Sequence, residues 1–312
     1  PARCGLQPVP RSSLHKGFAM LDRIRRHWML YLLIAPILAY FCAFLFYPMA
    51  QGIFLSTQKA GLLGPVGFVG WDNYAKVFST PAVWQAIWNT LIIAAGITIV
   101  GTLLPILPAI ALLQITPDWL KRGFQTAIYT PYLLSWVIIV GIWLNTLSPV
   151  GLVNSVLEGV GLIDAPINFF ADPFWARPMV IGLTVWKDVG FHALIYLAAL
   201  LSLSPDILEA ADIDGANDYK KIRDILLPHL MPMIKVVFLI TLLGSLRTFD
   251  SAFLMLNGRT ADQIRTLAIF TYERGILNFD LGLASAAGVV LLVVSLMISA
   301  FAQVVTRTER EN

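Results

Sequence analysis

Six apolar runs, each about twenty residues or longer, constrain this chain before any motif does: residues 28–50, 84–114, 123–147, 176–202, 231–256 and 281–305. A run of that length covers the hydrocarbon core of a bilayer as a helix. The expected fold is therefore all-α and integral to the membrane. Six transmembrane helices form one domain over residues 28–305, with short tails at 1–27 and 306–312. Composition agrees, since 57% of the 312 residues are hydrophobic and 13% are charged, about half the charge of a soluble domain. Pro105 and Pro108 should kink the second run. Residues 148–176, rich in Gly, Pro and Asn, read as an outer loop with a short helix over 153–160.

Between the fourth and fifth runs lies a charged island, residues 204–230, much longer than a turn at the membrane surface requires. Ser204 and Pro205 read as the N-cap and first residue of a short helix, with Asp206 near the positive end of its dipole. Ile207, Leu208 and Ala211 share one face of it. Gly215 supplies the permissive backbone that ends it. Asn217 caps a second helix with Tyr219, Ile222, Ile225 and Leu226 on its apolar face, and Pro228 starts the next segment. Without a partner this would be an interfacial helical hairpin.

Charge bias orients the chain. With both termini and the island placed inside, thirteen Lys and Arg fall on the cytoplasmic side and six outside. Lys187, Lys235 and Arg247 in the spans complete the 22. An inner excess of basic residues is the expected direction. The leading residues are polar and basic, and Met20, directly before Leu-Asp-Arg-Ile-Arg-Arg, reads as the natural start. Cys4 and Cys42 have neither pairing nor metal-ligand spacing.

Glu209-Ala210-Ala211, three residues, Gly215, and then Ile225-Leu226-Leu227-Pro228 resembles the cytoplasmic signature loop of permease subunits of binding-protein-dependent ABC importers. Several other stretches resemble the sugar branch of that family, related to the maltose and glycerol-3-phosphate systems. They are Tyr47-Pro48, Phe68-Val69-Gly70, Asp72-Asn73-Tyr74, Asn89-Thr90, Pro131, the loop holding Asn154, Phe249-Asp250 and Ala284-Ser285-Ala286. The resemblance runs from about residue 30 to 305. Leu256-Asn257-Gly258-Arg259-Thr260 departs from the branch, which has a threonine- and glycine-rich turn ending in proline after the fifth span.

The resemblance implies a type I importer permease fold in a bacterial or archaeal plasma membrane, with both termini cytoplasmic. It implies a second permease beside this one, two ATPase subunits beneath, and an extracytoplasmic binding protein that delivers the solute. It assigns Glu209, Ala210, Ala211, Asp214, Gly215, Ala216 and Pro228 to the loop that docks on the ATPase. The implied activity is import of a di- or oligosaccharide or a polyol by alternating access, with glycerol-3-phosphate as the alternative. The sequence has no Gly-x-x-x-x-Gly-Lys-[Ser/Thr] loop. No cofactor is therefore expected on this chain, ATP and Mg being bound by the partner ATPase, and the chain is not expected to be an enzyme. Nucleic acid is not an expected partner, and the lipid bilayer is.

An ion-coupled secondary transporter is the rival class. It would use titratable groups along a path, such as Asp188 and Asp250, but leaves the signature loop without a purpose. Charges inside spans are costly and mark either ion pairs or a wet cavity. Lys187, Asp188, Phe191, His192, Arg247, Phe249 and Asp250 are the candidate solute contacts. Arg247 and Asp250, three apart, would share a helix face and offer a locking ion pair instead. Trp143, Trp186, Phe191 and Tyr196 are candidate sugar faces. The four histidines, His15, His27, His192 and His229, show no metal-ligand spacing.

Overall fold

The computed structural model describes residues 27–61 and 64–307. Cys4, Met20 and the two tails, but for His27, Thr306 and Arg307, lie outside the described residues. Contacts divide the chain into a unit ending at Phe54 and a unit beginning at Leu55.

The first unit holds all but the last two residues of the first span. Helix Trp28–Phe41 passes through a π-helical turn, Cys42–Phe46, into helix Tyr47–Ser56. Together they make one apolar segment of 29 residues, about 43 Å long.

The second unit opens with an element the all-α expectation did not contain. Gln58–Gly61 and Gly64–Phe68 pair as an antiparallel hairpin. The Asp72-Asn73-Tyr74 motif holds it. Asn73, buried on helix Asp72–Ser79, donates from Nδ2 to the carbonyls of Ser56 (2.9 Å) and Gln58 (2.8 Å). Gly282 of the sixth span lies against the same Gln58 carbonyl, where a Cβ would collide.

Among the described residues, five helical segments are long and apolar enough to cross a membrane, and a sixth results if one bent pair is counted as a single span. The second span is Pro81–Leu103 continued as Ile106–Gln114, interrupted at Leu104 and Pro105 as the prolines require. The fourth is the 29-residue helix Pro173–Leu201. It packs against the second, third and fifth spans. Gly190 permits one of these contacts, because a Cβ there would run into the Ile128 carbonyl of the third span. The sixth is helix Leu281–Arg307.

Two spans differ from the expectation of unbroken helices. The third is helix Asp118–Leu133 followed by helix Trp136–Thr146 at 106° to it. Leu134 and Ser135 are extended, and the Ser135 hydroxyl accepts from the Ile138 N–H to start the second half. The fifth begins earlier than expected. Residues Asp218–Ser245 form one continuous helical segment, through a π-helical turn at Ile222–Leu226. It stops at Ser245, and a short helix, Asp250–Leu254, follows. The short helix Leu152–Gly159 lies where the sequence places it. Asn154 anchors its loop through bonds to Ser148 and Ile167.

Candidate functional site

The charged island is closed by its own backbone. Helix Pro205–Ile213 ends in a Schellman motif: the Ala216 N–H donates to the Ala211 carbonyl (2.9 Å) and the Gly215 N–H to that of Asp212 (3.1 Å). Gly215 has φ +71°, so the left-handed residue expected there is present. Asn217 caps the next turn through Oδ1 to the Lys220 N–H at 2.9 Å, and Lys221 forms an ion pair with Asp212. Ser204 sits at the N-cap position without a side-chain capping bond. Ala211 is buried, while Glu209, Ala210, Asp214 and Pro228 are exposed. Tyr219, expected on the packed face, is 69% exposed, and Ile213 is 88% exposed. Leu208, Ile222 and Leu226 do pack, against Leu230, Tyr196 and their neighbours at the inner ends of the fourth and fifth spans. The island thus presents an apolar and acidic outer surface on a base fixed to two spans.

The second site is a cavity of about 330 Å³ between the second, third, fourth and fifth spans. Its lining on the fourth span runs from Thr184 to His192, roughly 17–29 Å along a helix about 43 Å long. Six of the seven candidate solute contacts line it: Asp188, Phe191, His192, Arg247, Phe249 and Asp250. The third and fifth spans contribute at their breaks, Tyr132 and Trp136 from the third and Arg247, Thr248 and Phe249 from the fifth. Helix interruptions at membrane depth belong where they line a polar cavity.

Lys187 is the exception. Its ammonium donates to the Tyr132 carbonyl at 2.7 Å and lies over the Tyr132 and Trp136 rings, at 5.0 and 5.6 Å from their centroids. Tyr132 sits in the last turn of a helix, where carbonyls lack intrahelical partners and the dipole is negative. The buried cation satisfies that end and braces the 106° bend. Its charge is used inside the protein, so it does not line the cavity as the sequence reading expected.

Arg247 and Asp250 also part from expectation. They do not share a helix, since Arg247 falls in the interruption and Asp250 opens the short helix after it. Among the described residues they form no ion pair with each other, which removes the locking pair. Both are exposed at the cavity's rim, and Asp188 is half-buried.

Of the aromatic candidates, Phe191 stacks on Tyr132 (4.9 Å between centroids, 8° between planes) and both face the cavity. Trp143 and Trp186 instead pack edge-to-face on each other at 5.3 Å. Tyr196 is fully buried, its hydroxyl donating to the Thr102 carbonyl at 2.9 Å. Phe249 lies between cavity and core, stacked on Phe253 and edge-on to Tyr272.

Sequence reasoning missed the neutral polar lining: Thr184, Thr241, Ser245 and Ser251. Thr184, Asp188, His192 and Tyr196 recur every fourth residue, a polar stripe on one helix face that would have pointed to Thr184. Above the cavity, Thr266 donates from its hydroxyl to the Thr248 carbonyl (3.0 Å), tying the outer loop to the break in the fifth span. Arg177 and Asn89 clasp the same loop through the carbonyls of Gln263, Asp262 and Arg265. Asn257, in the departing turn, donates to the Phe170 carbonyl at 2.7 Å.

Residues 101–311 match the family described as binding-protein-dependent transport system inner membrane component. Among curated proteins, the chain is 31% identical to the sulfoquinovosyl glycerol transport system permease protein of Agrobacterium fabrum, over 89% of this chain and 90% of that one. It is likewise 31% identical to the arabinooligosaccharides transport system permease protein of Bacillus subtilis, over 96% and 95%. Among solved structures, it is similar to a chain of a bacterial ABC transporter involved in the import of the acidic polysaccharide alginate. The TM-score is 0.84 at 31% identity, covering 93% of this chain and 99% of that one. A second structure of the alginate transporter, in complex with an alginate pentasaccharide-bound periplasmic protein, matches with the same score.

Proposed function

The chain belongs to the family of inner membrane components of binding-protein-dependent transport systems, and on that premise we propose that it is one transmembrane subunit of an ATP-driven carbohydrate importer. An extracytoplasmic binding protein delivers the solute, a second permease completes the pathway, and separate ATPase subunits dock on the island at 204–230. The cavity between the interrupted spans holds the solute during its passage across a prokaryotic plasma membrane.

One observation carries this reading: the island and the cavity are joined by an uninterrupted rod. The helical segment Asp218–Ser245 runs from the foot of the island to the cavity wall without a break. A displacement of the docked loop is therefore delivered to Thr241, Gly244 and Ser245. Beyond Ser245 the helix ends, so residues 246–249 absorb the change in direction. The π-helical turn at Ile222–Leu226, where the rod leaves the island, supplies a second point of adjustment. On the other side of the cavity the bend at Leu134–Ser135 allows the halves of the third span to move separately.

The mechanism follows from differential contacts. ATP-driven closure of the ATPases grips the island in one arrangement only, and the rod biases the cavity toward one side of the membrane in that state. The relatives named for sulfoquinovosyl glycerol and arabinooligosaccharides support a carbohydrate as solute. Trp136, Phe191 and Tyr132 offer ring faces beside hydroxyl and charged side chains, a lining suited to sugars. Proteoliposomes holding the whole importer test the reading. Uptake of the sugar carried by the cognate binding protein should require that protein outside and ATP inside. Uptake without ATP, driven by a proton gradient, would overturn it.

A further inference from the structure

The polar groups of the cavity are sorted by charge. The buried wall is neutral: Thr184, His192, Thr241, Ser245 and Ser251. The charged groups stand at the rim, Arg247 and Asp250 exposed and Asp188 half-buried. The Lys187 ammonium, next in sequence to Asp188, is turned away onto the Tyr132 carbonyl. Within the wall, some groups are already paired, the Ser245 hydroxyl with Thr98 (3.0 Å) and the Thr184 hydroxyl with Ser251 (3.3 Å). Two are not. His192 Nδ1 and Thr241 Oγ1 have no hydrogen-bond partner among the described residues, although each residue is only 6% exposed. Buried polar groups left in this condition are costly, and a site that completes them with a ligand recovers that cost.

We propose that the buried wall takes an uncharged, hydroxyl-bearing ring of the solute, and that carboxylate, sulfonate or phosphate groups are excluded from it. The inference rests on the importer reading above and specifies the class of carbohydrate. A sugar hydroxyl both donates and accepts, so it matches a threonine hydroxyl and an imidazole nitrogen in either tautomer. The Phe191 ring, backed by Tyr132, bounds the same space and meets the apolar C–H face of a pyranose or furanose. An anionic group moved to this wall would leave water without gaining a cation, which is the unfavourable case for a buried charge. The one cation of the lining, Arg247, sits at the rim with Asp250 and Asp188 also in the lining, so the set carries no surplus positive charge.

Calorimetric titration of the complete importer in nanodiscs at pH 8, without binding protein, tests this. The probes are maltotriose and xylotriose as neutral trisaccharides and trigalacturonate as the acidic one. At least one neutral probe should bind at least tenfold more tightly than trigalacturonate, with an affinity unchanged between 50 and 500 mM salt, concentrations roughly bracketing strong and weak screening. Thr241→Val, similar in shape, should weaken neutral binding about tenfold, and Thr241→Ser should restore it, so a loss caused by misfolding is told apart. Tighter binding of trigalacturonate than of either neutral sugar overturns the proposal and leaves the carbohydrate reading standing. Binding of neutral sugar indifferent to Thr241→Val also overturns the proposal. Failure of all three probes to bind overturns the proposal and, with it, the assignment of this cavity to carbohydrate.

Discussion

The charged island and the membrane cavity are both polar interruptions in an apolar chain, and they are built in opposite ways. The island satisfies itself locally, with a Schellman turn spanning six residues and an ion pair between residues nine apart. The cavity is assembled at long range. Lys187 reaches 55 positions back to Tyr132, Ser245 reaches 147 to Thr98, and Thr184 reaches 67 to Ser251. A locally closed loop keeps its shape while being pushed as a unit. A cavity held by contacts between separate helices changes shape when one of them moves. That division of labour suits a machine in which force enters at one region and access changes at the other.

The contrast is broken most severely at Gly190. Gly190→Val drives a side chain into the Ile128 backbone, and a carbonyl has no rotamer with which to retreat. Overpacking of this kind costs about 1–3 kcal/mol even where side chains give way. The variant should lose most of its detergent-extractable folded protein, read by size-exclusion chromatography and thermal melting. Wild-type yield and melting would show that the third and fourth spans need no such close contact.

Lys187→Met comes next. It keeps an unbranched apolar stem and deletes the donor to a buried helix end, a charge-assisted bond contributing about 1.5–3 kcal/mol. The protein should insert, melt several degrees lower, and lose ATP-driven uptake as the bend relaxes. Unchanged melting would mean that the bend holds without the lysine.

A smaller and more local effect is expected at Gly215. Its Cβ position is open, so Gly215→Val meets no neighbour, but the residue must hold φ +71°. That conformation costs about 1–2 kcal/mol for an L-residue with a side chain. Insertion, yield and melting should stay at wild-type values while copurification with the ATPase weakens. If Gly215→Val destabilises the spans as Gly190→Val does, the island is not the independent unit described here.

The same division explains what could be read from the residues alone. The island was legible because its determinants are adjacent: glycine after the helix, asparagine at the next cap, alanine on the inner face. The spans were legible because length and hydropathy act segment by segment. The bend in the third span was not, since it depends on a lysine on another helix accepting a cost that only a bare helix end offsets. The break after Ser245 was likewise hidden, because residues 246–249 carry no glycine or proline. Reading through it placed Arg247 and Asp250 on one helix face. Periodicity assigns Tyr219 inward, and the structure turns it out, 69% exposed. The neutral lining of the cavity was overlooked for a chemical reason: threonine and serine in a span are unremarkable singly, and only their convergence from three helices makes a wall.

The central claim is that the cavity changes sides when the ATPases close. Gly244 lines it, is exposed, and has open space around its Cβ position. Gly244→Cys, in a chain with Cys4 and Cys42 replaced by serine, provides a single reporter. In proteoliposomes of the complete importer, a membrane-impermeant thiol reagent should label it from one side only in the nucleotide-free state and from the opposite side only with ATP trapped. Labelling from the same side in both states would contradict the account.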